Sequence, residues 1–292
     1  MFNRIISIII STVLAFFNWI GVMFGMENTY KFENVSYGTH ERNTLDLYIP
    51  AGKKSVGLVL MIHGGAWIEG DKSGYYSEIQ KLSDMGYAAA AVNYRYINDE
   101  VDLLDIMDDI QLAVAKIKEL GSKRGVDIDK MLLTGGSAGG HLSMLYAYSR
   151  DEVSAIKPAA VVSYCGPTDL SDDAYYFDNG LGDGKYVAQV LSWACGYKHS
   201  FATRNEAKEA LWNVSPLKYV DADTVPTVIN HGMVDNIVPF SNATVLRDKL
   251  DSLGIAYEFN AYPNSGHGLY EDAENVAKAN ELYYEYIETY LN

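Results

Sequence analysis

Met131-Leu132-Leu133-Thr134-Gly135-Gly136-Ser137-Ala138-Gly139 is the stretch from which the rest of the chain can be read. A short apolar run of strand type leads straight into a G-x-S-x-G pattern, and Ala138 to Ala147 beyond it are compatible with a helix. In that strand–turn–helix setting, a tight strained turn lifts a serine hydroxyl above a sheet, while the glycines let neighbouring backbone approach without a Cβ. Three fixed positions at about 7% each give roughly 0.1 chance matches in a chain of this length. The motif is therefore informative, and its weight depends on what surrounds it.

Working outward, similar apolar runs recur at Val56–Ile62, Ala88–Val92, Ala159–Val162 and Thr227–Ile229, as expected of strands covered on both faces. Before them, Thr44-Leu45-Asp46-Leu47-Tyr48-Ile49 alternates apolar and polar residues up to Pro50, which predicts a half-exposed strand in an opening antiparallel hairpin. Between the buried runs lie helical stretches. The clearest is Val101–Leu120, where Leu103, Met107, Ile110, Val114 and Ile117 recur at steps of three and four, with Gly121 as its expected end. Strands alternating with helices imply right-handed crossovers and a mainly parallel twisted sheet with helices on both faces, the α/β class.

Four groups fall just past separate strand runs, where open α/β sheets place their ligands. Ser137 is the candidate nucleophile. His63-Gly64-Gly65-Ala66-Trp67 follows the Ile62 strand, and the Gly64 and Gly65 amides, with Ala138 N–H at a helix start, are the candidate oxyanion donors. Asp235 follows the Thr227–Ile229 strand and His267 follows a strand ending near Tyr262, giving the chain order Ser, Asp, His. Asp169 is a rival acid; Asp221 and Asp223 precede their strand and so lie at its wrong end. His63 and His141 are read as structural, and His40, His199 and His231 as packing or surface residues without a comparable partner.

The 292 residues carry a formal net charge of -15, with 48% hydrophobic and 21% charged positions. That composition supports a sizeable core and excludes wholesale disorder, and an acidic chain with no basic stripe argues against nucleic-acid binding. Cys165 and Cys195 form no CxxC and no zinc-ligand set, so no metal or cofactor is expected; they are either two buried thiols or, in an exported protein, a pair. From Thr168 to about Asn213 the strand–helix alternation breaks, with five aspartates between Thr168 and Asp183 and glycines at 180, 182 and 184. Their spacing does not match an EF-hand, and a solvated acidic loop within a small cap insertion, 168–213, is the favoured reading.

Residues 1–26 stand apart. Ile5–Met26 contain no charged residue or histidine and follow Arg4, enough to cross a bilayer with the remainder outside the cytoplasm. An uncleaved anchor is favoured over a signal peptide, because the best small-x-small site, Val13-Leu14-Ala15, is followed by more apolar sequence. The alternative is a start at Met26 and a cytoplasmic protein. Either way the folded domain is expected over 27–292.

Together the HGGA loop, the GxSAG elbow, Asn93-Tyr94-Arg95 and Ser215-Pro216-Leu217 resemble the α/β-hydrolase superfamily over roughly Lys31–Asn292. Within it, the resemblance is to carboxylesterases, namely hormone-sensitive-lipase-like enzymes and bifunctional feruloyl and acetyl-xylan esterases. HGGA in place of the HGGG of many lipases fits the feruloyl-esterase branch, and Tyr96–Asp102 lacks the Ala-Pro-Glu of many lipase-like members. The resemblance implies hydrolysis of small-molecule or carbohydrate-linked carboxylic esters: Ser137 attacks, His267 takes its proton, Asp235 orients His267, and the loop amides hold the oxyanion. Since a histidine base must be neutral to accept a proton, activity is expected to fall below a pH of about 6–7. A peptidase resembling the catalytic domain of prolyl oligopeptidases, and a non-catalytic binding member of the fold, are the alternatives.

Overall fold

The computed structural model describes residues 28–173 and 185–292. The apolar run 5–26 lies outside them, as do Asp178, Asp183 and the glycines at 180, 182 and 184. Among the described residues no helix is long and apolar enough to cross a membrane.

Eight strands form one sheet: β1 (Thr29–Ser36), β2 (Thr44–Pro50), β3 (Leu58–Ile62), β4 (Ala88–Val92), β5 (Lys130–Gly136), β6 (Lys157–Tyr164), β7 (Thr227–Gly232) and β8 (Tyr257–Tyr262). Their order is β1-β2-β4-β3-β5-β6-β7-β8; β1–β2 and β2–β4 pair antiparallel and the remaining neighbours parallel. The principal helices of the described residues are α1 (Tyr76–Asp84), α2 (Leu103–Lys123), α3 (Ala138–Ser149), α4 (Lys185–Ala194), α5 (Arg204–Asn213), α6 (Ser241–Leu253) and α7 (Ala273–Leu291).

The two-residue periodicity of a strand divides the core into two layers. Leu58, Leu60 and Ile62 of β3 belong to one core layer with Ile106, Ile110 and Val114 of α2, Leu142 of α3 and Leu246 of α6. Val59 and Met61 point the other way, to Ile79 and Leu82 of α1 and to Leu282, Tyr286 and Ile287 of α7. Every residue of β3 and β4 is buried, as expected of parallel strands covered on both faces.

Two local expectations are corrected. β2 is not half exposed: Asp46 and Tyr48 are buried along with Leu45, Leu47 and Ile49. The polar positions tolerate this because the Asp46 carboxylate meets Lys72 Nζ at 2.6 Å and the Tyr48 hydroxyl donates to Glu33. Nor does α2 stop at Gly121. It starts at an Asp102 and Asp105 capping box, runs through a buried Gly121 to Lys123, and turns at Gly125, whose φ of +70 suits a residue without a Cβ. A Cβ at Gly121 would approach Ile128, so packing explains that glycine better than termination does.

Candidate active site

The loops after β3, β5, β6, β7 and β8 gather at the carboxyl ends of the parallel strands. The β5 loop is the sharpest. Ser137 has φ +55 and ψ -124, a strained conformation for a residue with a Cβ, at a cost on the order of 1–3 kcal/mol. Hydrogen bonds on both sides hold it there, with Ser137 N–H donating to Tyr164 O at 2.7 Å and His141 N–H to Ser137 O at 3.0 Å. At Gly139, the first turn of α3 passes directly against the end of β3, and any Cβ would collide with Ile62 O. The spacing of the motif is therefore set by how closely helix and sheet approach.

Asp235, in the loop after β7, has its side chain wholly buried. Its Oδ1 accepts from the amides of Ile237 (2.8 Å) and Val238 (3.0 Å), and its Oδ2 accepts from His267 Nδ1 at 2.8 Å. Burial pushes this carboxyl up, but the His267 hydrogen bond and the two amides together hold it below the ordinary carboxylate range. The His267 ring is thus tied at Nδ1, and it lines with Ser137 a cavity of about 520 Å³.

On the other side of Ser137, the His63–Trp67 loop closes over the elbow. A Cβ at Gly64 would meet Gly136 O at 2.7 Å, which places the loop backbone against the Ser137 turn. Among the described residues, the N–H groups of Gly64, Gly65 and Ala138 enter no turn or loop hydrogen bond. Ala66 and Trp67 both have positive φ (+48 and +63). Ala66, not the glycines, reaches the wall of a small cavity of about 100 Å³ shared with Ser137 and Ala138.

The loop is held from beneath. His63 stacks on Tyr94 with centroids 4.2 Å apart, Tyr94 OH donates to His63 O (2.8 Å), and Arg95 pairs with buried Asp109 at 2.9 Å. The Asn93-Tyr94-Arg95 sequence is therefore a brace for the glycine loop, and His63 is structural. His141 is also structural: it is fully buried, with the Trp67 indole donating to Nδ1 at 3.3 Å and Nε2 facing Val214 O at 2.9 Å. Burial holds its pKa down at about 4.

The rival acid Asp169 makes a turn, accepting from Ser171 N–H and Oγ, and is hydrogen-bonded to no histidine. Asp221 caps a turn with Thr224 ahead of β7. Asp172 accepts from Ser241, and Asp173 pairs with Arg204 and Lys208, so part of the acidic stretch is ion-paired rather than simply solvated. His40 and His199 are exposed. His231, expected to lack a partner, has Nε2 at 3.5 Å from Asp235 Oδ2 and 2.9 Å from Val238 O.

Two features had no sequence signal. The thiol of Cys165, with φ +50 after β6, faces the Asp235 carboxylate; burial and that carboxylate push the thiol up. Cys165, Asp235 and His267 place three donor atoms within 4.8 Å of one another, two of them already joined by the hydrogen bond between Asp235 and His267. Neither cysteine is in a disulfide. The second feature is Val187, Val190 and Leu191 of α4, which wall the small cavity beside Ser137.

An eight-stranded sheet in this order, a strained serine elbow after β5 and a buried Asp–His pair on later loops define the α/β-hydrolase fold. The chain belongs to the BD-FAE family, whose model matches residues 45–250, and a dienelactone hydrolase family model matches residues 211–292. Among curated proteins it is similar to a probable carboxylic ester hydrolase, LipM, of Mycobacterium tuberculosis, 29% identical over 233 residues, 74% of this chain and 51% of that protein. The chain spans about half the length of the curated relatives it matches first. Among solved structures, esterase B from Lactobacillus rhamnosis superposes with a TM-score of 0.70 at 21% identity, covering 95% of both chains. A truncated carbohydrate esterase from gut microbiota gives 0.71 at 23% identity, covering 89% of this chain and 97% of that one.

Proposed function

We propose that this protein hydrolyses carboxylic esters through an acyl-enzyme on Ser137, with His267 as general base and acid and Asp235 as its orienting partner. The observation that carries the reading is the 2.8 Å hydrogen bond from His267 Nδ1 to a buried, ionised Asp235, in a ring that faces the same cavity as Ser137. With Nδ1–H committed to Asp235, the other ring nitrogen carries the lone pair that takes the Ser137 proton. Ser137 Oγ then attacks the ester carbonyl, and the developing oxyanion is met by the N–H groups of Gly64, Gly65 and Ala138. The imidazolium returns its proton to the departing alcohol; water, deprotonated by His267, releases the acid and restores Ser137. No step needs a metal or an organic cofactor.

The helices α4 and α5 act as a small cap over the site, and the apolar run 5–26 supports an extracytoplasmic, membrane-anchored placement. Fractionation of the protein expressed from its own start tests that placement: a wholly cytosolic product refutes it. For the chemistry, wild type and Ser137→Ala are assayed side by side on p-nitrophenyl acetate. Removing the nucleophile lowers kcat on the order of 10⁴-fold or more. Equal activity in both would mean a different serine; no turnover by wild type, with turnover of peptide anilides, would favour a peptidase.

A further inference from the structure

The Asp235 carboxylate has a second histidine beside it. His231, at the end of β7, is 1% exposed, and its Nε2 stands 2.9 Å from Val238 O and 3.5 Å from Asp235 Oδ2, the same oxygen that accepts from His267 Nδ1. A carbonyl oxygen only accepts, so His231 Nε2 must carry a proton, and that N–H is the donor to Val238. Burial lowers the pKa of His231, which leaves the ring neutral at neutral pH.

His231 therefore enters both the mechanics and the electrostatics of the Asp235–His267 pair. Val238 is held from two sides: its N–H donates to Asp235 Oδ1 at 3.0 Å and its carbonyl accepts from His231, so the loop carrying Asp235 is closed onto the end of its own strand. The positive end of the Nε2–H dipole also lies beside Oδ2. Among the described residues, the ion-pair partners of Asp235 are histidines only. Its charge is offset by N–H dipoles, the Ile237 and Val238 amides at Oδ1 and His231 at Oδ2, rather than by a lysine or arginine. Such a carboxylate orients His267 without holding the imidazolium so tightly that it fails to give its proton to the departing alcohol.

We propose that, granting the ester hydrolysis set out above, His231 is a positioning residue for it: His231 fixes the Asp235 loop through Val238 and tempers the charge on the carboxylate oxygen that orients His267. The other titratable groups around the pair, among the described residues, are the Cys165 thiol and Tyr164 at the end of β6, Tyr262 at the end of β8, and Tyr270 and Asp272 on the His267 loop. Burial pushes Cys165 and Tyr164 up and Tyr262 to about 12, while Asp272 is held below the ordinary carboxylate range, against its desolvation, by Ser265 and Asn264. Cys165, Tyr164, Tyr262 and Asp272 thus keep their charge states from about pH 5 to 9.

The test follows p-nitrophenyl acetate hydrolysis over that range with the full chain as wild type, His231→Phe and His231→Gln. Phe keeps the ring that packs against Phe240 but has no donor; the Gln Nε2 reaches the place of the imidazole Nε2. In His231→Phe, kcat is expected to fall ~10–100-fold with KM within about threefold of wild type. The acid limb of kcat/KM moves up by about 0.5 pH unit or more, because a carboxylate stripped of one N–H dipole binds the protonated His267 ring more tightly. His231→Gln returns kcat to within about fivefold of wild type and the limb to its original place. A brace without electrostatic effect gives the opposite sign, since a loosened Asp235 holds the imidazolium less well. A kcat within about threefold of wild type in His231→Phe, a limb unmoved or moved down, or no recovery in His231→Gln overturns the role. The wild type alone supplies a second measurement that stands even where neither variant folds: in ¹⁵N-histidine spectra at about pH 7.5, His231 is expected as the neutral Nε2–H tautomer, and an Nδ1–H tautomer or an imidazolium overturns the proposal. Acetate turnover abolished by Ser137→Ala keeps the ester chemistry standing whatever the His231 variants do; a wild type that cleaves no ester overturns that chemistry and, with it, the role of His231.

Discussion

Replacing His141 by Phe separates the structural work of this histidine from its titration. In the folded protein its ring is fully buried; the Trp67 indole donates to Nδ1 and Nε2 meets Val214 O. Those partners require the neutral tautomer with the proton on Nε2, because a second proton on Nδ1 would face the indole N–H. Burial lowers the pKa to about 4, against about 6.5 for an unfolded histidine. The folded value is depressed, so below pH 6.5 the unfolded chain takes up a proton that the folded protein refuses. Stability from this group is complete above about pH 6.5 and drains away as pH falls to about 4, at about 1.4 kcal/mol per pH unit, about 3 kcal/mol in all. Phe fills the ring space but strands the indole N–H and the Val214 carbonyl, at about 1–3 kcal/mol per unsatisfied group. Urea unfolding of both proteins at pH 7.5 and 4.5 measures the difference. Other titrating groups cancel between the two proteins, so the wild type's advantage at pH 7.5 shrinks by about 2–3 kcal/mol at pH 4.5. An advantage that stays constant to within about 0.5 kcal/mol would refute the neutral, buried assignment.

Asp235→Asn keeps the shape but loses the acceptor that fixes the His267 tautomer; kcat for p-nitrophenyl acetate is expected to fall on the order of 10⁴-fold with little change in KM, and a loss under tenfold would remove Asp235 from the mechanism. Lys72→Met leaves the buried Asp46 carboxylate with its 2.6 Å ion-pair partner gone, at about 3–5 kcal/mol in urea unfolding. The double variant with Asp46→Leu should recover most of that loss, and failure to do so would mean that the pair holds the β2 region through more than charge compensation.

The fold was legible because its determinants are local. A run such as Leu58–Ile62 is buried on both faces whatever its neighbours, and the alternation of such runs with amphipathic helices leaves few topologies. The serine elbow was legible because one backbone turn, read from glycine spacing, both strains Ser137 and admits the helix against β3. Order along the chain and position after strands singled out Asp235 and His267 for the same reason: strand ends on one edge of a parallel sheet converge.

What sequence could not show depends on contacts between distant segments. The burial of Asp46 and Tyr48 contradicts their alternation pattern, since burial there is decided by Lys72 and Glu33, far away in the chain. The thiol of Cys165 against Asp235, the Tyr94 brace under His63 and the His141 strut each join residues whose spacing carries no periodic signal. The walls of the small cavity beside Ser137 come from the loops after β3, β6 and β7 together with α3 and α4, so it exists only once all of them have packed. Sequence alone determined the fold class and singled out Ser137, Asp235 and His267 as candidates, because a serine turn and the strand ends beyond it are written as motifs. Only the tertiary structure decided how much room there is around Ser137, because volume is a property of packing among segments remote in the chain.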